Sequence, residues 1–227
     1  MVALGVSLMV PGLRAQTPEL QQRMAEVQES MTVNRLLLAQ YKWMEQDTFS
    51  VNGDEKKEEL YQVQLDANGN PAKIPVDPGA VSAADRQQRG LRGAIKEKKI
   101  EEYTEYMRDI QGLVEQYLPP QKDMLQAAYQ QGKVTIGPMA GMPGEYRVIV
   151  ANYVKPGDNM TLVMNREQKA LVSLSISSYL SNAKDAVTVN AQYATVPGGP
   201  NHVATQTING VSKKLKITVT NVSYQHM

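Results

Sequence analysis

The sequence predicts an α+β fold: one open, curved antiparallel sheet of roughly seven to ten strands, with an N-terminal helix and an inserted helical hairpin. Three observations carry this. Apolar residues recur at helical spacing near the start of the chain and again in its middle. Short segments of period two follow each helical block, separated by Gly, Pro, Asn and Asp at regular intervals. With 227 residues, 42% hydrophobic and 21% charged, the chain can build one large domain around a real core.

The first element after the N-terminal leader is a helix. Thr17 suits its cap and Pro18 its first turn, and Leu20, Met24, Val27 and Met31 form one apolar stripe. Leu36-Leu37-Leu38 ends that pattern, and from Tyr41 the period shifts to two, with Tyr41, Trp43 and Phe49 on one parity. Asn52-Gly53 is a hairpin signal. Tyr61, Val63 and Leu65 alternate with glutamines, and after the turn Asn68-Gly69-Asn70 a short edge strand fits Lys73–Val76. Residues 77–90, rich in Pro, Gly, Ala, Ser and Gln, read as a linker.

The helical insertion is expected over about 84–132. Ile95, Tyr103, Met107, Ile110, Val114 and Tyr117 approximate one stripe, Pro119-Pro120 ends it, and a short helix follows up to the stop at Gly132. The remainder reads as strand and turn. Tyr146, Val148 and Val150 share a face, as do Met160, Leu162 and Met164. Leu171–Leu180 presents Val172, Leu174 and Ile176 on one side and serines on the other. Ala186–Val196 is a further strand, and His202–Ile208 is expected to pair with Leu215–Val222 across a turn at Asn209-Gly210.

At the N-terminus, Val2–Val10 is apolar apart from Gly5 and Ser7, Pro11-Gly12 breaks the run, and Ala15 precedes a polar stretch. This pattern predicts a secretory signal cleaved after Ala15, leaving a single domain over 16–227 in the periplasm or outside the cell. No basic segment precedes the run, so the natural start is expected upstream. The run is too short to span a membrane, which takes about 20 apolar residues.

Composition excludes several kinds of chemistry. With no Cys, disulfides, thiolate catalysis, Cys-ligated zinc and lipid attachment at a cysteine all drop out. Lys and Arg number 24 against 23 Asp and Glu, a balance unlike that of a nucleic-acid binder. Residues 133–227 carry a net charge of +5 and the rest −4; Lys213, Lys214 and Lys216 fit lysines that guard a sheet edge. The two histidines, His202 and His226, read as exposed loop and tail residues without metal-ligand spacing. Glu101, Glu102 and Glu105 fit helix-surface pairs with Lys98 and Arg108. Glu45 and Asp47 share the parity of Trp43 and read as a solvated strand end. No nucleophile motif or phosphate-binding loop is present.

What remains is compositional. The chain has 12 Met against 1 Phe, and 11 of its 13 aromatic residues are Tyr. Met adapts to irregular apolar guests, and Tyr and Trp suit the border of an apolar surface with a wet one. A lipid-accepting cleft would use both; an ordinary core would use them too.

The order of elements resembles the LolA-like group of periplasmic lipoprotein and lipid carriers: an exported chain, an amphipathic helix, antiparallel strands, mid-chain helices and a long meander. The stretch Lys99–Tyr103 through Val114–Pro120 also looks like uncharacterised exported bacterial proteins. The resemblance implies an open sheet wrapped on helices around an apolar cavity, and it transfers no site residue. The charged helical insertion departs from the compact carrier plan.

The sequence thus points to a non-catalytic envelope protein that binds an acyl chain, a lipoprotein or another apolar ligand, without cofactor or metal. The expected wall residues lie on strands: Trp43, Tyr61 and Val63 in the first hairpin, then Tyr146, Val148, Leu162, Met164, Leu174 and Ile176. One alternative is a scaffold whose insertion contacts a transient envelope partner, favoured by a filled cleft. Another is an enzyme, favoured by a convergent, buried Asp/Glu pair in a polar pocket.

Overall fold

Ten strands form one antiparallel sheet in the order β3-β2-β1-β10-β9-β8-β7-β6-β5-β4. A computed structural model describes residues 18–76 and 91–227, the side chains of 19, 20 and 91–98 excepted. The segments expected to be a leader, 1–15, and a linker, 77–90, lie outside the described residues. In chain order, α1 is Pro18–Leu38, β1 Tyr41–Val51, β2 Asp54–Leu65 and β3 Pro71–Pro75. The insertion holds α2, Leu91–Val114, and α3, Lys122–Gln130. Then come β4 Val134–Pro138, β5 Glu145–Ala151, β6 Asn159–Asn165 and β7 Ala170–Tyr179. The chain ends with β8 Ala186–Thr195, β9 Asn201–Gly210 and β10 Leu215–His226.

The strand order explains the insertion. β3 and β4 follow one another in sequence across the insertion but stand at opposite edges of the sheet. Nine inter-strand gaps of about 4.8 Å make roughly 43 Å of flat width. The chain must cross that width, and α2, with 24 residues, supplies about 36 Å at 1.5 Å per residue. A crossing helix must bury one face, and Tyr106, Ile110 and Leu113 do so in the main core. Gly210 makes room for it: a Cβ there would stand 2.7 Å from Ile110 Cδ1 and from the Tyr106 ring.

The main core joins Met24 and Val27 of α1, the buried faces of α2 and α3, and alternate residues of β4 to β8. The alternation read from the sequence fixes which strand residues enter it. Tyr146, Val148 and Val150 are buried while Arg147 is exposed, and Met160, Leu162 and Met164 are buried together. A smaller cluster of Leu38, Trp43 and Val63 lies apart, under β1 and β2.

Two hydrogen-bonded anchors hold the insertion. The Tyr117 hydroxyl, between α2 and α3, lies 2.5 Å from the buried Asp158 carboxylate and 2.8 Å from Ser178 Oγ. Asp158 also accepts the backbone N–H groups of Tyr153, Val154 and Lys155, so one carboxylate ties a loop to a helix end. Burial and then the Asp158 hydrogen bond push the Tyr117 phenol far up. The Tyr106 hydroxyl donates to Asp185 at 2.8 Å.

Three sequence readings are corrected here. The β9–β10 turn is Val211–Lys214, not Asn209-Gly210, because Gly210 still pairs with Leu215 beneath α2. The lysines of this region guard no edge: Lys213 and Lys214 sit in that turn, and Lys216 on an interior strand. Glu102 also meets Lys213, 3.3 Å away, while its expected helix partner Lys98 lies among the side chains outside the described ones. Glu45 and Asp47 are buried, only 7% and 6% exposed, because β1 is an interior strand between β2 and β10.

Candidate functional site

A cleft of about 690 Å³ opens at one end of the sheet. Its roof is the C-terminal half of α1, and its side wall is the Leu118–Lys122 link into α3. Its floor is made by strand ends: Trp43 of β1, Leu65 of β2, Tyr193 of β8 and Val203 of β9. Apolar side chains dominate, as in binding sites that take most of their affinity from desolvation.

Polar contacts hold α1 over this floor. Asn34 and the backbone of Asn201 exchange hydrogen bonds: Asn34 Nδ2 donates to the Asn201 carbonyl, and the Asn201 N–H donates to Asn34 Oδ1 at 2.6 Å. Ser30 Oγ donates to the Lys169 carbonyl. Arg35 donates to the Asn68 carbonyl and lies against Gly69, where a Cβ would collide with its guanidinium. Helix, β9 and the β2–β3 turn thus form a frame around the opening.

The floor carries an aromatic trio. The Trp43 ring meets His202 edge-on at 4.8 Å and stacks with Tyr224 at 6.0 Å. His202 Nδ1 and the Tyr224 hydroxyl share a 2.5 Å hydrogen bond. Trp43 Nε1 is buried without a hydrogen-bond partner. Burial pulls the His202 imidazole down to about 4 and pushes the Tyr193 phenol up to about 12, so both are neutral at pH 7. His202, read from sequence as an exposed loop residue, is instead the second residue of β9 and half-buried in the cleft floor. Its partners Trp43 and Tyr224 come from opposite ends of the chain, so no local signal marked it.

This imidazole has a pH signature. A histidine whose folded pKa is lowered supports stability fully above its ordinary value of 6.5, and that support is lost as the pH falls through about 4. Glu45 acts in the opposite sense: its raised carboxyl binds a proton more readily when folded, so the stability it costs returns on acidification. The His202→Phe variant should therefore lose less stability than the wild type between pH 6.5 and 4. Urea midpoints measured across that range check this; equal acid sensitivity would remove His202 from the account.

The nine expected wall residues divide. Trp43 borders the cleft. Val63 packs with it in the small cluster, with Tyr61 against that cluster. Tyr146, Val148, Leu162, Met164, Leu174 and Ile176 lie in the main core, each at most 4% exposed. The sequence reading placed helices over the sheet but named no residue of α1 or of the Leu118–Lys122 link in the cleft wall. Prolines 119 and 120 were legible as a helix stop, but not as a wall.

A second polar cluster lies on the β1–β3 part of the sheet. Lys73 Nζ bridges Glu45 and Asp47, 3.1 Å from the latter. Burial raises the Glu45 carboxyl against the opposing pull of Lys73, while the two carboxylates hold Lys73 above its ordinary value despite its burial. Neither carboxylate lines the cleft. The pair is convergent and buried, and Lys73 bridges it within the sheet, offsetting one of its two charges. Among the described residues no group of three or more His, Asp or Glu side chains could hold a metal ion. No described helix is long and apolar enough to cross a membrane.

No protein-family model matches the chain, and no curated protein matches it. Solved structures similar to it include a DUF1329 family protein from Desulfovibrio piger, at 7% identity and TM-score 0.48, covering 91% of this chain and 92% of that one. A protein described as an outer membrane lipoprotein-sorting domain, from Vibrio parahaemolyticus, is similar at 7% identity and TM-score 0.49, covering 91% and 93%. A LolA superfamily protein from Nitrosomonas europaea is similar at 9% identity and TM-score 0.44, covering 91% and 93%. At these identities the likeness concerns the path of the chain alone.

Proposed function

We propose that this protein is a non-catalytic binder of an acyl chain or similar apolar ligand, held in the cleft between α1, the Leu118–Lys122 link and the floor of strand ends. The observation that carries this reading is the 690 Å³ cleft itself, largely apolar and framed by a helix bonded to the sheet. Its volume falls in the range of about 300–1,000 Å³ usual for small-molecule sites. Filling it would remove apolar wall from water at about 25 cal/mol per Å², with no bond chemistry. The apolar run Val2–Val10 supports export to the periplasm or beyond, where a lipid or lipoprotein would be the ligand.

Trp43 makes the test direct, since it is the one tryptophan of the chain and borders the cleft. A twelve-carbon alkyl chain, given as dodecanoate or 1-dodecanol, should change its emission saturably. Gln28→Phe puts a bulky ring on a half-buried cleft position of α1. It should weaken that binding about tenfold or more, equivalent to about 1.4 kcal/mol, with the unfolding midpoint little changed. Absence of saturable binding by either probe would defeat the proposal. Native mass spectrometry of protein purified from the cell envelope then identifies the ligand by mass.

A further inference from the structure

The charges on the cleft wall are of one sign. Arg35 and Lys122 line it, and no Asp or Glu does. This is not a general property of α1. A second cleft, of about 490 Å³, runs along the same helix and is lined by Glu26 and Glu29 together with Lys169. The helix therefore turns Glu26 and Glu29 to one opening and Arg35 to the other.

Arg35 is also free to bind. Among the described residues it forms no ion pair, and its one recorded hydrogen bond is donated to the Asn68 carbonyl. A guanidinium has five N–H donors in a planar fork suited to carboxylate or phosphate oxygens. The bond to Asn68 and the seat against Gly69 fix the side chain at the rim, so little rotamer entropy remains to be lost when an anion arrives. Lys122, exposed on the first turn of α3, adds a second cation and forms no ion pair among the described residues. The floor offers no competing charge, since His202 stays neutral.

We infer that the cleft selects an anionic amphiphile: the alkyl chain lies on the apolar floor, and a carboxylate or phosphate headgroup sits at the rim on Arg35, with Lys122 beside the same opening. This rests on the binding function proposed above and adds the class of headgroup.

The experiment compares four probes of one chain length on the whole protein, followed by Trp43 emission: dodecanoate, dodecyl phosphate, 1-dodecanol and dodecylamine. The two anions should bind at least about tenfold tighter than the alcohol, and the amine weakest, with the preference shrinking as salt screens the charges. Which anion binds tighter distinguishes a carboxylate from a phosphate headgroup. Arg35→Gln should erase most of the anion preference, read as the ratio of anion to 1-dodecanol affinity within the same variant so that any loosening of the frame divides out, and Arg35→Lys should keep part of it. Lys122→Gln should give a smaller loss in the same direction. Binding of the alcohol as tight as that of the anions would overturn the headgroup inference and leave the cleft function standing. Failure of all four probes to bind would overturn both. All three variants change exposed side chains, and an unchanged unfolding midpoint shows that the frame is intact.

Discussion

Asp158→Ala is expected to lower the unfolding free energy by about 3–5 kcal/mol, as breaking a buried, fully bonded charged group does. The carboxylate is 2% exposed and accepts three backbone N–H groups, at 2.6, 3.0 and 2.8 Å, as well as the Tyr117 hydroxyl at 2.5 Å. Each buried donor left without a partner costs about 1–3 kcal/mol. The total stays below the sum because Val154 and Lys155 are only partly buried and can recover water, and because Ser178 remains beside Tyr117. Asp158→Asn keeps the shape but turns an NH₂ group toward donors, and should lose roughly half as much. Tyr117→Phe removes one of the bonds and should cost about 1 kcal/mol. Urea unfolding reads all three from the midpoint at constant m-value. A loss below about 1 kcal/mol for Asp158→Ala would mean that the Tyr117–Asp158 anchor contributes little to holding the insertion.

Leu174→Ala should cost about 3–5 kcal/mol, the upper part of the range for a leucine truncated in a dense core. Leu174 is 0% exposed, stands opposite Leu162 and Ala191 in the sheet, and belongs to the cluster that α2 and α3 close over. Leu174→Trp should also be destabilising, since the side chain is fully enclosed by its cluster and the added volume overpacks it. A wall facing open space would behave otherwise: truncation would cost less than about 2 kcal/mol and tryptophan would be tolerated. Paired denaturation curves of the two variants decide between these outcomes. The contrast with Gln28→Phe, a larger ring expected to be accommodated, separates core from cleft within one protein.

Much of the architecture is local and was legible. Asn52 and Gly53 both have positive φ, 55° and 87°, the backbone that their hairpin turn requires. The alternation of Tyr146, Val148 and Val150 needs only the period of a strand. Met24 and Val27 needed only the period of a helix, and both are buried as their spacing implied. Pro119 and Pro120 marked the end of a helix because proline lacks the N–H that a helix interior uses.

What lies opposite a residue is not local. β1 pairs with β10, and that pairing turns Glu45 and Asp47 from an apparent strand end into a buried pair held by Lys73. The same pairing brings Tyr224 and His202 to Trp43, so a histidine in a Pro/Gly context becomes a cleft residue with a depressed pKa. Gly210 carried a turn signal, but the approach of Tyr106 and Ile110 keeps it in a strand where no side chain fits.

The sequence by itself determined the fold class, the helices and the alternating faces of the strands, because hydrophobic periodicity and turn chemistry act over a few residues. Only the tertiary structure decided where the opening lies. The strand order puts β3 and β4 at opposite edges, so the insertion must cross the sheet, and it buries its apolar side chains where an open sheet would otherwise leave space. The cleft survives at the end where α1 is held off the floor by Asn34, Ser30 and Arg35, contacts between segments far apart in the chain that no periodicity encodes.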